Sequence, residues 1–151
     1  MTSGSENDVA TQPAIAELIP HAGSMCLLER IVRWDEGGIV AATGTHRHSD
    51  NPLRRAAQLD MVALCEYGAQ AMAVHGGLLA RRDGGRAPPG FLVSLRDVWL
   101  SAARLRDCGG DLEVTATRLF GDGTGWQYEF RVSHAASLLA SGRVAVVLRR
   151  E

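Results

Sequence analysis

Hydrophobic and polar positions alternate along much of this chain, and one long apolar run interrupts them. DLEVTATRLF sets Leu112, Val114 and Ala116 against Glu113, Thr115 and Thr117, the period-two pattern of a strand with one buried face. The phase slips at Arg118-Leu119, where the apolar position moves by one residue. FLVSLRDVWLSAA before this run, and GWQYEFRVSH and ASGRVAVVLRR after it, have the same β-rich character and are bounded by Gly and Asp turn signals. MCLLERIVRW, ending near Asp35, and GIVAATGTHRH predict two further strands, joined as a hairpin at Glu36-Gly37-Gly38. SDNPLRRAAQ, with the breaker Asn51-Pro52, and RRDGGRAPPG read as loops. AIAELIP predicts a short helical turn that ends at Pro20.

Between Arg54-Arg55 and Arg81-Arg82 the pattern changes. From Leu59 to Ala80 the chain reads LDMVALCEYGAQAMAVHGGLLA, apolar nearly all round with the carboxylate Glu66 at its heart. At the helical step of about 100° per residue, Glu66 shares a stripe with Leu59, Val62, Ala63, Ala69, Gln70, Ala73 and Gly77. Met61, Leu64, Met72 and Val74 lie opposite, so the helix lacks a wide polar face and belongs in a protein core or a membrane. Asp60, Glu66, Gln70 and His75 would each be costly in lipid, which favours the core over a membrane span. A carboxyl in apolar surroundings resists ionisation, which suits general acid or base work. The competing reading is a Glu tied off by a buried hydrogen bond. The order ββ, helix, ββββ predicts an α+β domain, with an antiparallel sheet of about six strands wrapped around one long central helix.

Composition narrows this picture. A chain of 151 residues, 46% hydrophobic, suits one domain, expected over residues 13–151. The polar residues 1–12, MTSGSENDVATQ, read as a tail without the features of a secretion signal, which favours a cytoplasmic location. A net charge of -1 argues against a nucleic-acid partner, although all 16 basic residues are arginine. Cys26, Cys65 and Cys108 have no CxxC spacing and read as reduced thiols, not disulfides or metal ligands. No nucleotide-binding glycine pattern, zinc spacing or nucleophile elbow occurs. His134 reads as a surface residue at a strand end.

Three segments then point to a family. IPHAGSMCLLERIV resembles the opening LPHR-x-P segment of the 3-hydroxyacyl-acyl carrier protein dehydratases of the FabA/FabZ type. CEYGAQAMA resembles their helix signature E-A-x-A-Q, and FLVSLRDVWL the strand that follows it. NPL before the helix and EYGAQAMAVHGGLL within it are similar to the ApeP-like branch, associated with aryl polyene gene clusters. The resemblance implies the hotdog fold and dehydration of 3-hydroxyacyl chains held as phosphopantetheine thioesters on acyl carrier protein, with no further cofactor. It implies that Glu66 is the catalytic acid, with Gln70, Leu59, Val62, Pro52 and His21 contacting substrate. A histidine completes such sites, the acid and the histidine coming from different protomers of a homodimer or hetero-oligomer. His75, about 180° from Glu66 on the helix, cannot share its pocket.

This chain departs from the family where that histidine belongs. Dehydratases carry a GHFPxxP turn before the helix, whereas here the run is THRHSDNP. The resemblance favours His46 as base, with His48 next; both also suit polar residues at the end of an edge strand. Arg54, Arg55, Arg81, Arg82 and Arg86 flank the helix and suit either the acidic surface of a carrier protein or plain solvation. Two alternatives share the pocket. One is a catalytically weak subunit that partners an active hotdog dehydratase; the other is a hotdog acyl thioesterase in which Glu66 directs water at the thioester.

Overall fold

The alternation in DLEVTATRLF builds the middle of the molecule. In the computed structural model, which describes residues 15–18, 25–85 and 90–148, it forms strand β4 (Leu112–Gly121), whose Leu112, Val114 and Ala116 are buried while Glu113 and Thr117 are exposed. The expected slip of phase is a bulge, because pairing with β5 shifts register between Arg118 and Phe120. Around β4 stand β1 (Arg30–Asp35), β2 (Gly38–Thr43), β3 (Gly90–Leu100), β5 (Gly125–His134) and β6 (Ser137–Leu148). All pairs are antiparallel, and the sheet order is β1-β2-β4-β5-β6-β3. The chain therefore leaves β2 through the helix and re-enters the sheet at its far edge.

Helix α1 (Leu64–Arg82) lies against β2, β4, β5 and β6. Two glycines set how closely it approaches. A Cβ on Gly68 would fall 2.3 Å from the Phe130 ring, and one on Gly76 2.0 Å from Trp126, so β5 presses its aromatic side chains onto bare helix backbone. Leu64, Tyr67, Ala71, Val74 and Leu78 join Val114, Tyr128, Phe130 and Val132 in one core.

Three boundaries differ from expectation. The helix does not start at Leu59: Met61–Ala63 is a 3₁₀ turn, and the α-helix continues to Arg82. β2 stops at Thr43, because Gly44 gives its N–H to the Glu29 carboxylate and Thr45–Arg47 coils into a 3₁₀ turn. β1 starts only at Arg30. The apolar residues before it, Leu27 and Leu28, are buried without being strand, since side chains satisfy that backbone. Leu27 N–H donates to the Gln70 amide oxygen (2.9 Å), the Gln70 amide donates to Met25 O (2.7 Å), and the Thr43 and Thr45 hydroxyls donate to Leu27 O. Among the described residues no helix is long and apolar enough to cross a membrane.

Candidate active site

Helix α1 does not bury its whole circumference. Val62, just before it, is 56% exposed, and Ala63, Glu66, Ala69 and Ala73 are half-buried. These positions recur every three or four residues, so one stripe of small side chains stays open along the helix with Glu66 set in it. The acid lies on a half-open face, not in the sealed core that the apolar run suggested. Gln70, on the flank of that stripe, is buried and spends both ends of its amide on Met25 and Leu27. Leu59 is half-buried against the core, and Pro52 is exposed. His21, Arg86 and the tail lie outside the described residues.

One residue beyond Glu66, Tyr67 turns inward and meets the loop that follows β2. Its buried hydroxyl lies 2.8 Å from Thr45 Oγ1 and 2.9 Å from Asn51 Nδ2. Thr45 Oγ1 uses its proton on Leu27 O (2.7 Å), and an amide NH₂ can only donate. The Tyr67 hydroxyl therefore donates to Thr45 and accepts from Asn51. Asn51 Nδ2 also donates to Thr45 O, while Asn51 Oδ1 accepts from Leu53 N–H (both 2.9 Å). Burial is the main influence on the Tyr67 phenol and raises its pKa, keeping it a hydroxyl.

The structure separates the two loop histidines. His46 is buried at 3% exposure, its Nε2 lies 2.8 Å from Cys108 O, and its enclosed Nδ1 has no hydrogen-bond partner. A carbonyl only accepts, so Nε2 carries the proton. Burial lowers the pKa of this imidazole, and neither nitrogen opens to a ligand. His48 is the reverse: its side chain is exposed while its backbone is held. Its N–H donates to Thr45 O (3.1 Å), and its carbonyl accepts from Asn51 N–H (3.2 Å) and Arg54 Nε (2.7 Å).

The remaining candidates serve the fold. His75 is fully buried between helix and sheet, with Nε2 2.7 Å from Asp35 O and Nδ1 2.6 Å from the Tyr128 hydroxyl. His134 Nε2 bonds Gly109 O. Arg54 also donates to Ala57 O, Arg81 pairs with Glu17, and Arg82 with Glu36 and Asp83. Thr45, Asn51 and Tyr67 were not expected from the sequence. Asn51 stands out there only as half of a breaker, and no local pattern shows that its side chain meets that of Tyr67.

The profile of the ApeP-like family, described as ApeP dehydratase, matches residues 13–151. No curated protein matches the sequence. Among solved structures, the dehydratase heterocomplex ApeI:P from Xenorhabdus doucetiae superposes with a TM-score of 0.79 at 19% identity, covering 93% of each chain. AziG from S. sahachiroi gives 0.60 at 22% identity, covering 89% of this chain and 99% of its own. A hypothetical thioesterase from Streptococcus pneumoniae, solved with coenzyme A, gives 0.59 at 10% identity, covering 81% and 86%. At these identities the likenesses establish the hotdog fold.

Proposed function

We propose, for a chain that belongs to the ApeP-like dehydratase family, that it removes water from 3-hydroxyacyl thioesters carried on acyl carrier protein, in fatty acid or aryl polyene type biosynthesis. The observation that carries this reading is Glu66, a carboxyl on a half-open stripe of small helix residues. A base takes the proton beside the thioester carbonyl, the C3–O bond breaks, and Glu66, as general acid, gives a proton to the departing hydroxyl, leaving an enoyl thioester and water. Only protons and a hydroxyl move, so the phosphopantetheine arm is the one prosthetic group the reaction uses. Val62 and Leu59 would flank the acyl chain beside Glu66.

His48 is the histidine suited to the base, since its ring is free and its backbone is fixed. Glu66 and Tyr67 diverge by about 100° on the helix. Tyr67 faces its own loop, so Glu66 lies on another side of the helix, which is compatible with the family expectation of a histidine supplied by a second hotdog chain. A homodimer or a hetero-oligomer satisfies this, and the heterocomplex from Xenorhabdus doucetiae supports the latter.

A second reading, that of a weakly active partner subunit, is favoured by one observation: His46, where the family resemblance places the base, is buried beneath Cys108 O. One assay decides. Purified protein, alone and with a hotdog partner, is incubated with 3-hydroxyacyl carrier proteins while enoyl product and free acid are followed. Glu66→Gln and His48→Ala are each expected to lower enoyl formation about a hundredfold or more, whereas His46→Ala lowers stability first. Enoyl formation that survives Glu66→Gln sinks the assignment. Free acid without enoyl indicates a thioesterase, and activity only with the partner indicates the subunit role.

A further inference from the structure

The loop between β2 and the helix is built differently from a surface connection. His48 stands near its start with an exposed ring, yet bonded groups grip the backbone on both sides. Asn51 is the centre of that grip. Its Nδ2 reaches back to Thr45 O, before His48, and its Oδ1 reaches forward to Leu53 N–H, after it. The same Nδ2 donates to the Tyr67 hydroxyl on the helix, and Arg54 closes the outer side by donating to His48 O and Ala57 O. Asn51 is buried and its bond to Tyr67 is enclosed, so water replaces it less readily than the exposed bonds of Arg54.

We infer that Asn51, acting with the Tyr67 hydroxyl, is a positioning residue that fixes the backbone carrying His48, so that the exposed imidazole starts from a set position while its ring stays free for proton transfer. The inference rests on the dehydratase reading for its catalytic meaning, and on the hydrogen bonds alone for its geometry. The chemistry fits the geometry, because an imidazole that abstracts a proton must be held within a fraction of an ångström of the carbon it serves. In this chain no Phe-Pro turn follows the histidine to stiffen the loop. A buried amide that bonds both flanks of the loop and the helix performs the same task by hydrogen bonding.

Tyr67→Phe removes one oxygen, and Asn51→Leu replaces the amide with an apolar group of similar size. Both are compared with the wild-type protein, in its active assembly, for melting temperature, for kcat and KM on 3-hydroxybutyryl to 3-hydroxydecanoyl carrier proteins, and for the ring resonances of His48 by NMR. The expected result is a fall in kcat of about ten- to a hundredfold with KM within about twofold, together with broadened or shifted His48 resonances in a folded protein. Unchanged kcat and unchanged His48 resonances in both variants would overturn the inference. If the wild-type protein forms no enoyl product, the dehydratase reading fails by itself, and the His48 resonances alone decide whether Asn51 and Tyr67 fix the backbone that carries the ring. Should Asn51→Leu not fold, Tyr67→Phe carries the same measurements.

Discussion

His46 and His75 are buried imidazoles whose Nε2 donates to a backbone carbonyl, Cys108 O in one case and Asp35 O in the other. Burial is the largest influence on both and lowers both pKa values from 6.5; Arg47 and His134 push His46 the same way, and Arg118 and Arg82 do so for His75, against Asp111 and Asp35. In the unfolded chain both rings take up a proton as pH falls below about 6.5, while in the folded chain they resist it. Their stabilising contribution is thus complete above that pH and is lost as pH drops below it. The slope is at most about 1.4 kcal/mol per pH unit for each ring. Urea unfolding at pH 7.5 and pH 5.5 should show stability falling by about 1–3 kcal/mol, and a flat profile would contradict the buried neutral rings. Backbone strain gives a second test at this scale. Ala135 and Ala136, between His134 and Ser137, have φ of 49° and 70°, a turn that Asn-Gly adopts with less strain. Replacing them with Asn and Gly should add about 1–2 kcal/mol, read as a rise in melting temperature. Glu66 was legible in the sequence because a carboxyl in an apolar helix is conspicuous. The different burial of His46 and His48 was not, since a spacing of two residues does not say which ring lies under a distant carbonyl.

The helix depends on contacts that only tertiary structure reveals. Gln70 uses its side chain as a piece of strand, bonding Met25 O and Leu27 N–H of a segment that forms no ladder there. Gln70→Leu would leave that buried N–H and that carbonyl without partners and should cost about 2–5 kcal/mol, measured by denaturant unfolding; a loss below about 1 kcal/mol would mean that water takes over both bonds. Gly76→Ala places a methyl against the Trp126 ring and should destabilise by about 1–3 kcal/mol. The six strands and the helix were readable because alternation and an all-round apolar run are local signals. The expected first strand is longer than the observed one because Cys26, Leu27 and Leu28 are apolar, as a strand would be. The backbone of Leu27 bonds Gln70, Thr43 and Thr45 instead, at separations that no periodicity encodes. The helix start was drawn too early for a related reason: the residues from Leu59 are apolar, but Met61–Ala63 closes as a 3₁₀ turn.

The two edges of the sheet are unlike one another, and that difference bears on assembly. β1 is only six residues long and exposes Arg30, Arg33 and Asp35, features that discourage another strand from adding. β3 is eleven residues long; it shifts register twice and exposes Arg96 and Asp97, but it also leaves Leu95, Val98 and Trp99 41%, 39% and 49% exposed. Exposed apolar side chains along an edge of that length invite a second chain, and the proposed pairing of Glu66 with a histidine from another protomer would require one. If β3 carries the hotdog partner, a charge placed there must weaken assembly and activity together without unfolding the chain. Val98→Lys combined with Trp99→Ser should lower the mass seen by sedimentation and reduce enoyl formation in proportion to the lost complex, while circular dichroism keeps its wild-type form. Retained mass would move the interface elsewhere on the sheet. Lost mass with full activity would mean that one chain holds a complete site, and the pairing of Glu66 with a histidine from a second chain would have to be abandoned.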